Sequence, residues 1–430
     1  MRKKKTDAGK IIWMVSLLTL LALSTGCENT GPDSAVTVTE STADTEGTFE
    51  GVDSLDPQAS PTASSGIDFI FQDKNDAQLM DELYHDYKTT GGEVAVVTDR
   101  SNILDSGYNQ AVFNGAATYA QAAGVSYSFY SAGTDSEAEY EKVITDAIDA
   151  GASLVICASS HFAQAIGSLQ DTWPDIHFLL LDAVPINASG DTVPISKNVH
   201  CIQYQEEEAG YLAGYLCVMD GYSQFGFIGG ETLPSVIRYG YGYLQGIDAA
   251  AKKLGVSDTI HVNYWYSGTF YPQDNIADKA ESWYRTGTEV IFACGGSIYE
   301  SILPSANVFD GYLIGVDVDQ SQLSDRFLTS AMKGIENSVI ISLDDYFAYG
   351  NTWSKEYAGQ MISYGADKKC IELPVTDDAW RFERVSFEDY ETLLSNLKTG
   401  EVHVDNSITL PPDVSISVTY CNTQENSIHD

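Results

Sequence analysis

From residue 94 onward the chain alternates short apolar runs, often β-branched, with longer segments of helical period. Parallel β-α-β units leave this pattern. The expected strands are 94–98, 126–131, 154–158, 177–181 and 199–204, followed by 225–228, 261–266, 290–293 and 312–316. The second set repeats the first. Gly115 precedes Gly124-Val125-Ser126 by nine residues, and Gly246 precedes Gly255-Val256-Ser257 by the same nine, so the helix after the first strand is expected to have equal length in both halves. Gly151 and Gly287 each open a strand, and an aspartate closes the next strand 31 residues later at Asp182 and 30 later at Asp317. Four landmarks in one order predict an α/β fold of two doubly wound parallel-sheet lobes joined by a hinge. Ligands of open α/β sheets collect beyond the carboxyl ends of the strands, so two facing lobes would bring both sets of loops to one cleft.

The first 26 residues have a different logic. Arg2, Lys3, Lys4, Lys5 and Lys10 precede an apolar run of 13 residues from Ile11 to Leu23, and small residues follow up to Gly26. This is the order of an export signal, and the run is shorter than the ~20 residues a membrane-crossing helix needs. Leu23-Ser24-Thr25-Gly26-Cys27 resembles the bacterial lipoprotein cleavage site, with the leucine four residues before the cysteine instead of three. Residues 1–26 are therefore expected to be a signal peptide and Cys27 the lipid-bearing amino terminus, with ordinary secretion and an unused Cys27 as the alternative. Residues 28–66 hold eight acidic residues, 13 Ser or Thr, three Pro and no Lys or Arg, a composition unable to bury enough apolar surface to order itself. Residues 27–66 are expected to be a flexible, lipid-anchored tether.

Removing residues 1–26 takes away five basic residues and one acidic residue, leaving 18 against 60 and a charge of −42. Such a field repels nucleic acid and anionic lipid headgroups, so neither is expected as a partner, and the membrane is reached through the lipid alone. Six further cysteines show no CxxC spacing, and Cys157, Cys201 and Cys294 lie in strand-like runs as small buried residues do. A Cys370–Cys421 disulfide is left open. The domain reading is a first lobe over 92–203, a second over 204–326, and a hinge return with C-terminal elements completing the lobes over 327–430.

Two loops carry the chemistry of a binding site. After the first strand comes Thr98-Asp99-Arg100-Ser101-Asn102-Ile103-Leu104-Asp105-Ser106-Gly107-Tyr108-Asn109-Gln110, with helical period starting at its end. The matching loop begins at Gly229-Gly230-Glu231 and runs through Pro234 to Arg238-Tyr239. Carboxylates, an amide and aromatic faces suit a flat, hydrogen-bonding solute. Tyr108 and Tyr239 occupy corresponding places, and if both face the cleft they would sandwich an aromatic base; either alone also reads as helix packing. Asp182 reads as structural.

At these loops the chain resembles the basic membrane lipoprotein family, the nucleoside-binding lipoproteins of ABC importers. The first loop is similar to that family's T-D-x-G-G-I-N-D-x-S-F-N-Q and the second to G-G-x-x-x-P-x-V-x-x-F-x-x-G-F. The likeness continues through Gln205-Glu206-Glu207-Glu208-Ala209-Gly210, Gly268-Thr269-Phe270, Gly295-Gly296, Ile314-Gly315-Val316-Asp317 and Thr329-Ser330-Ala331-Met332-Lys333, spanning about residues 92–335. The resemblance implies a type I periplasmic-binding-protein-like fold. It also implies that Asp99, Asp105, Tyr108 and Asn109 meet a base, Tyr239 stacks on it, Asp317 holds ribose hydroxyls and Lys333 adds a hinge-side contact. On the residues alone, Asp317 also reads as a strand-end cap and Lys333 as a solvated lysine. Leu104, Gly107 and Ser101 depart from the family's asparagine, serine and glycine, which puts purine preference in doubt.

No Gly-x-Ser-x-Gly, His-Glu-x-x-His or P-loop is present, and the seven histidines show no metal spacing. The expectation is a non-enzymatic, cofactor-free and metal-free extracytoplasmic binder. It would be lipid-anchored at the cell membrane and pass a small ligand, a nucleoside by resemblance, to ABC permease subunits. Alternatives are an exported sensor presenting its closed form to a membrane receptor, a sugar-binding protein, or a sugar- or nucleoside-cleaving enzyme, for whose acid pair Asp99 and Asp105 could be mistaken.

Overall fold

Five strands open the first lobe in a computed structural model that describes residues 92–421 apart from 101, 102 and 104. The expected signal peptide, Cys27 and the expected 27–66 tether lie outside the described residues. The strands are β1 (Val94–Thr98), β2 (Tyr127–Ser131), β3 (Leu154–Cys157), β4 (His177–Leu181) and β5 (Val199–Tyr204), linked by α1 (Tyr108–Ala123), α2 (Glu137–Asp149) and α3 (Ala163–Leu169). All five residues of β1 are buried, as a central parallel strand with both faces covered must be. Successive residues serve opposite faces: Val94 and Val96 pack with Phe113 of α1, while Ala95 and Val97 pack with Ile144 of α2. Val96 lies opposite Phe129 on one side and Ile156 on the other.

The chain crosses at Gln205 into α4 (Glu206–Asp220) and repeats the plan with β6 (Gln224–Gly229), β7 (His261–Tyr266), β8 (Val290–Cys294), β9 (Tyr312–Asp317) and β10 (Phe327–Lys333). Their helices are α5 (Pro234–Leu254), α6 (Asp274–Arg285) and α7 (Tyr299–Phe309). At Gly334 the chain returns to the first lobe with α8 (Ile335–Ala348) and β11 (Gln360–Tyr364), which pairs parallel with β5. Over 365–370 it crosses a third time, to β12 (Ile371–Glu372), α9 (Phe387–Lys398) and β13 (Ser417–Tyr420) of the second sheet. The sheets run β11-β5-β4-β3-β1-β2 and β12-β10-β9-β8-β6-β7-β13, and β12 alone is antiparallel to its neighbour. Thus the 327–430 segment begins with a strand inside the second sheet, and the hinge holds three strands of chain. Two of them are tied, by Gly334 N–H donating to the Cys370 carbonyl at 2.8 Å.

The repeat holds at helix ends and fails at helix starts. Gly124 and Gly255 both take φ of 70° and donate their N–H to carbonyls of the last turn, a left-handed cap that glycine adopts without strain. Yet α1 has 16 residues and α5 has 21, so the expected equal length does not hold. Pro234 starts α5 early, its fixed φ suiting the first helical position. In the first lobe α1 starts only at Tyr108, with Asp105 accepting from the amides at its start.

Helices α4 and α5 approach each other unusually closely. A Cβ on Gly210 would collide with the Tyr239 carbonyl oxygen, and one on Gly242 with the Glu207 carbonyl. Only glycine lets these helices touch backbone to backbone, which sets Glu206 and Glu207 against Arg238. All six described cysteines are unpaired. Cys370 belongs to the first lobe's core and Cys421 to the edge of the second, so the disulfide left open from the sequence does not form.

Candidate functional site

The loops beyond the strand ends enclose a cleft of about 520 Å³, and all seven residues singled out from the sequence line it: Asp99, Asp105, Tyr108, Asn109, Tyr239, Asp317 and Lys333. Its size falls in the usual range for small-molecule sites.

Lys333, at the end of β10, organises the cleft floor. Its Nζ lies 2.9 Å from Asp182 Oδ2, 3.3 Å from Asp317 Oδ1 and 3.4 Å from Glu206 Oε1. It is 6% exposed, so the solvated-lysine alternative does not hold. Burial opposes its charge, but Asp182, Asp317 and Glu206 outweigh burial and raise its pKa. Burial raises the pKa of Asp317, and the Lys333 charge opposes that. Asp182 and Asp317 sit at equivalent strand ends of the two lobes, and both adopt left-handed backbone, with φ of 61° and 68°. Non-glycine residues hold that conformation where the surroundings over-determine it. The repeat seen in the sequence therefore places two matched carboxylates face to face with one ammonium joining them.

Beneath Lys333, the buried Glu206 accepts from Arg238 Nε at 2.6 Å. Glu207 is 1% exposed, and burial followed by the neighbouring Glu206 charge pushes its carboxyl up to about 8. It is thus protonated near neutral pH. The floor then carries Asp182, Asp317 and Glu206 against Lys333 and Arg238, an excess of acceptors.

The tyrosines share a neighbour that the sequence assigned to the hinge. Lys333 Nζ is 4.8 Å from the Tyr108 centroid and 5.5 Å from that of Tyr239, distances at which an ammonium is attracted by a ring face. Tyr239 is only 2% exposed, and its hydroxyl donates to Asp317 Oδ1 at 3.3 Å and to the Ala331 carbonyl at 3.2 Å. Tyr108 keeps part of its surface open.

Asp105 is occupied by its own helix. Oδ1 accepts from the Gly107 and Gln110 amides, and Oδ2 from the amide and side-chain nitrogen of Asn109. This satisfies donors that the start of α1 leaves open and leaves Asn109 Oδ1 buried without a partner, while the buried Tyr108 hydroxyl interacts with Asp182. Asp99 Oδ2 lies 3.3 Å from His161 Nδ1. The sequence reading took Asp182 as structural and did not single out Glu206, Arg238 or His161 as site residues. A signal for Asp182 was present, since the repeat pairs it with Asp317, and Glu206 and Arg238 lie within stretches already quoted; nothing local marked His161.

Two relatives and one solved structure are similar to this chain. Basic membrane protein B of Borreliella burgdorferi is 31% identical over 205 residues, covering 47% of this chain and 56% of that protein. The chain thus spans little more than half the length of that relative. The ABC transporter nucleoside-binding protein BmpA of Lactococcus lactis subsp. cremoris is 24% identical over 258 residues, covering 56% and 69%. A solved ABC transporter solute-binding protein from Aeropyrum pernix K1 superposes with a TM-score of 0.62 at 18% identity, covering 73% of this chain and 93% of its own, which shows a shared type I binding-protein fold. The model of the Bmp family, described as ABC transporter substrate-binding protein PnrA-like, matches residues 93–406, and the chain belongs to that family.

Proposed function

We propose that this protein captures a nucleoside in the cleft and presents it to ABC permease subunits outside the membrane, tethered through lipid on Cys27. The observation that carries this is the floor itself, where matched strand-end carboxylates from both lobes, with an unpartnered acceptor atom on Asn109, surround an ammonium beneath a half-buried tyrosine. Vicinal hydroxyls are donors that such acceptors take up, by charge-assisted hydrogen bonds. A flat base suits the Tyr108 ring. The acceptor excess also disfavours phosphorylated ligands. The Lactococcus relative carries nucleoside binding in its name, and no described helix is long and apolar enough to cross a membrane.

In this reading Asp317 and Asp182 hold the sugar, while Asp99, Asp105 and Asn109 form the base-side wall, Asp105 acting by fixing the Asn109 amide. Lys333 and Tyr239 set the Asp317 carboxylate, and Tyr108 supplies the stacking face. A ligand gains contacts from both lobes only when they are closed, so ligand selects the closed form. Thermal shift with nucleosides, free bases and sugars tests the assignment, because a ligand that binds only the folded state stabilises by RT ln(1 + [L]/Kd). Nucleosides are expected to give the largest shift; a larger shift from sugars would replace the reading by sugar capture. Mass spectrometry of the mature membrane-bound chain checks lipid on Cys27.

A further inference from the structure

At the edge of the cleft the lobes meet in a second ionic contact. His161 lies in the short 3-10 turn Ser160–Phe162 after β3. Its Nδ1 faces Asp99 Oδ2 at the end of β1, and its Nε2 is 3.3 Å from Glu231 Oε2, in the loop after β6 of the other lobe. The ring lies parallel to Tyr140 of α2, with planes 2° apart and centroids 6.0 Å apart, and the His161 amide donates to Ser159 Oγ at 3.1 Å. The first lobe therefore holds the ring at its Nδ1 edge and along one face, with the backbone fixed by Ser159, and Glu231 is the contact that spans the gap.

Two ring nitrogens each facing a carboxylate describe an imidazolium, because a neutral ring donates from one nitrogen alone. The hydrogen bonds to Asp99 and Glu231 push its pKa up to about 10, with burial opposing. The other groups facing this region are Asp135 and Glu137 at the start of α2, the Tyr271 and Phe270 rings, and Arg100, which pairs with Asp135 at 3.5 Å. His161 is the cation at the centre of an acidic recess of about 320 Å³ beside the main cleft.

We propose that His161 is a positioning residue that latches the lobes, holding the Asp99 carboxylate at the cleft wall and drawing Glu231 across the mouth. The bridge sets how long the closed form lasts. Opening removes Glu231 from the ring and keeps Asp99, so the imidazole holds its proton more tightly in the closed form. Closure is therefore favoured below the open-form pKa and loses this contribution as pH rises through about 10.

The test is an interlobe distance measurement by single-molecule fluorescence on the full mature chain without ligand, for wild type, His161→Gln, Glu231→Gln and the double variant. Each single change is expected to raise the open-to-closed ratio about fivefold, the upper range for a partly exposed pair. The double variant should add little more, since both changes break one contact. The wild-type open fraction should rise toward pH 10 while that of Glu231→Gln changes less. Unchanged ratios in both single variants, or fully additive effects, overturn the latch. Glu231→Gln keeps the test decisive should His161→Gln fold poorly, because Glu231 is on an exposed loop side. The effect on ligand residence rests on the proposed function: inosine should leave His161→Gln about fivefold faster. If inosine does not bind wild type, that function fails, while the ligand-free distances still decide the latch.

Discussion

The floor and the mouth of the cleft are both bridged by a cation held between carboxylates of opposite lobes, but they stand at different depths. At the floor the side chains of Lys333, Asp182 and Glu206 are 3%, 7% and 0% exposed; at the mouth those of His161 and Glu231 are 23% and 38% exposed. Depth changes what each bridge does. A buried cluster gains little net stability when complete, because desolvation offsets attraction, yet it is costly to break. A bridge in contact with water is weak and screened, and so it is suited to opening and closing. The floor keeps acceptors in place for a ligand, and the mouth controls how long the lobes stay together.

The largest effect expected is at the floor. Lys333→Met leaves three buried carboxylates short of their counter-charge and should lower stability by about 3–5 kcal/mol, read as a shift in the urea midpoint. A change below about 1 kcal/mol would make the floor energetically like the mouth and end the contrast.

Next come the aromatic walls. Tyr108→Ala should weaken nucleoside binding by about 1–3 kcal/mol, the range for base stacking, measured by calorimetry. Tyr239→Ala should weaken it through displacement of Asp317, so Tyr239→Phe, which deletes only the hydroxyl bonds, should reproduce much of that loss. Full affinity in Tyr239→Phe would show that its ring, not its hydroxyl, is what the site uses.

A pH series sharpens the picture of the floor. The Glu207 carboxyl rises from 4.5 to about 8 on folding, so between these values the unfolded chain has released a proton that the folded chain keeps. That contribution is intact below 4.5 and is lost as pH rises to about 8. Glu207→Gln should be close to wild type near pH 5 and more stable than wild type above pH 8, as seen in unfolding curves across pH. Parallel curves would show that Glu207 is ionised in the folded protein.

The smallest effect belongs to the mouth. Raising salt from about 0.15 to about 1 M shortens the screening length from about 8 to about 3 Å and should increase the ligand-free open fraction of wild type, with less change in His161→Gln. Equal salt responses would place the screened interaction elsewhere.

Much of the fold was legible because β-α-β periodicity is local. The nine expected strands all form, within a residue or two of their expected ends. Four strands were not expected: Phe327–Lys333, which the sequence reading gave to the hinge return and which lies inside the second sheet, and the short Gln360–Tyr364, Ile371–Glu372 and Ser417–Tyr420, which form sheet edges where pairing comes from the neighbour already in place. The unequal lengths of α1 and α5 were not legible because glycine spacing reports where a helix stops, whereas its start was set by Asp105 in one lobe and Pro234 in the other.

The sequence by itself determined that two similar lobes would form, that loops with carboxylates, amides and tyrosines would end their strands, and that Asp182 and Asp317 would be counterparts. Those properties follow from spacing along the chain and from which residues a backbone conformation accepts. Tertiary structure alone decided which charges meet. Lys333 pairs with Asp182 across 151 positions, and His161 joins Asp99 and Glu231 across 62 and 70. Coulomb energy and desolvation depend on separation and burial in space, and neither is encoded in the number of residues between two charges.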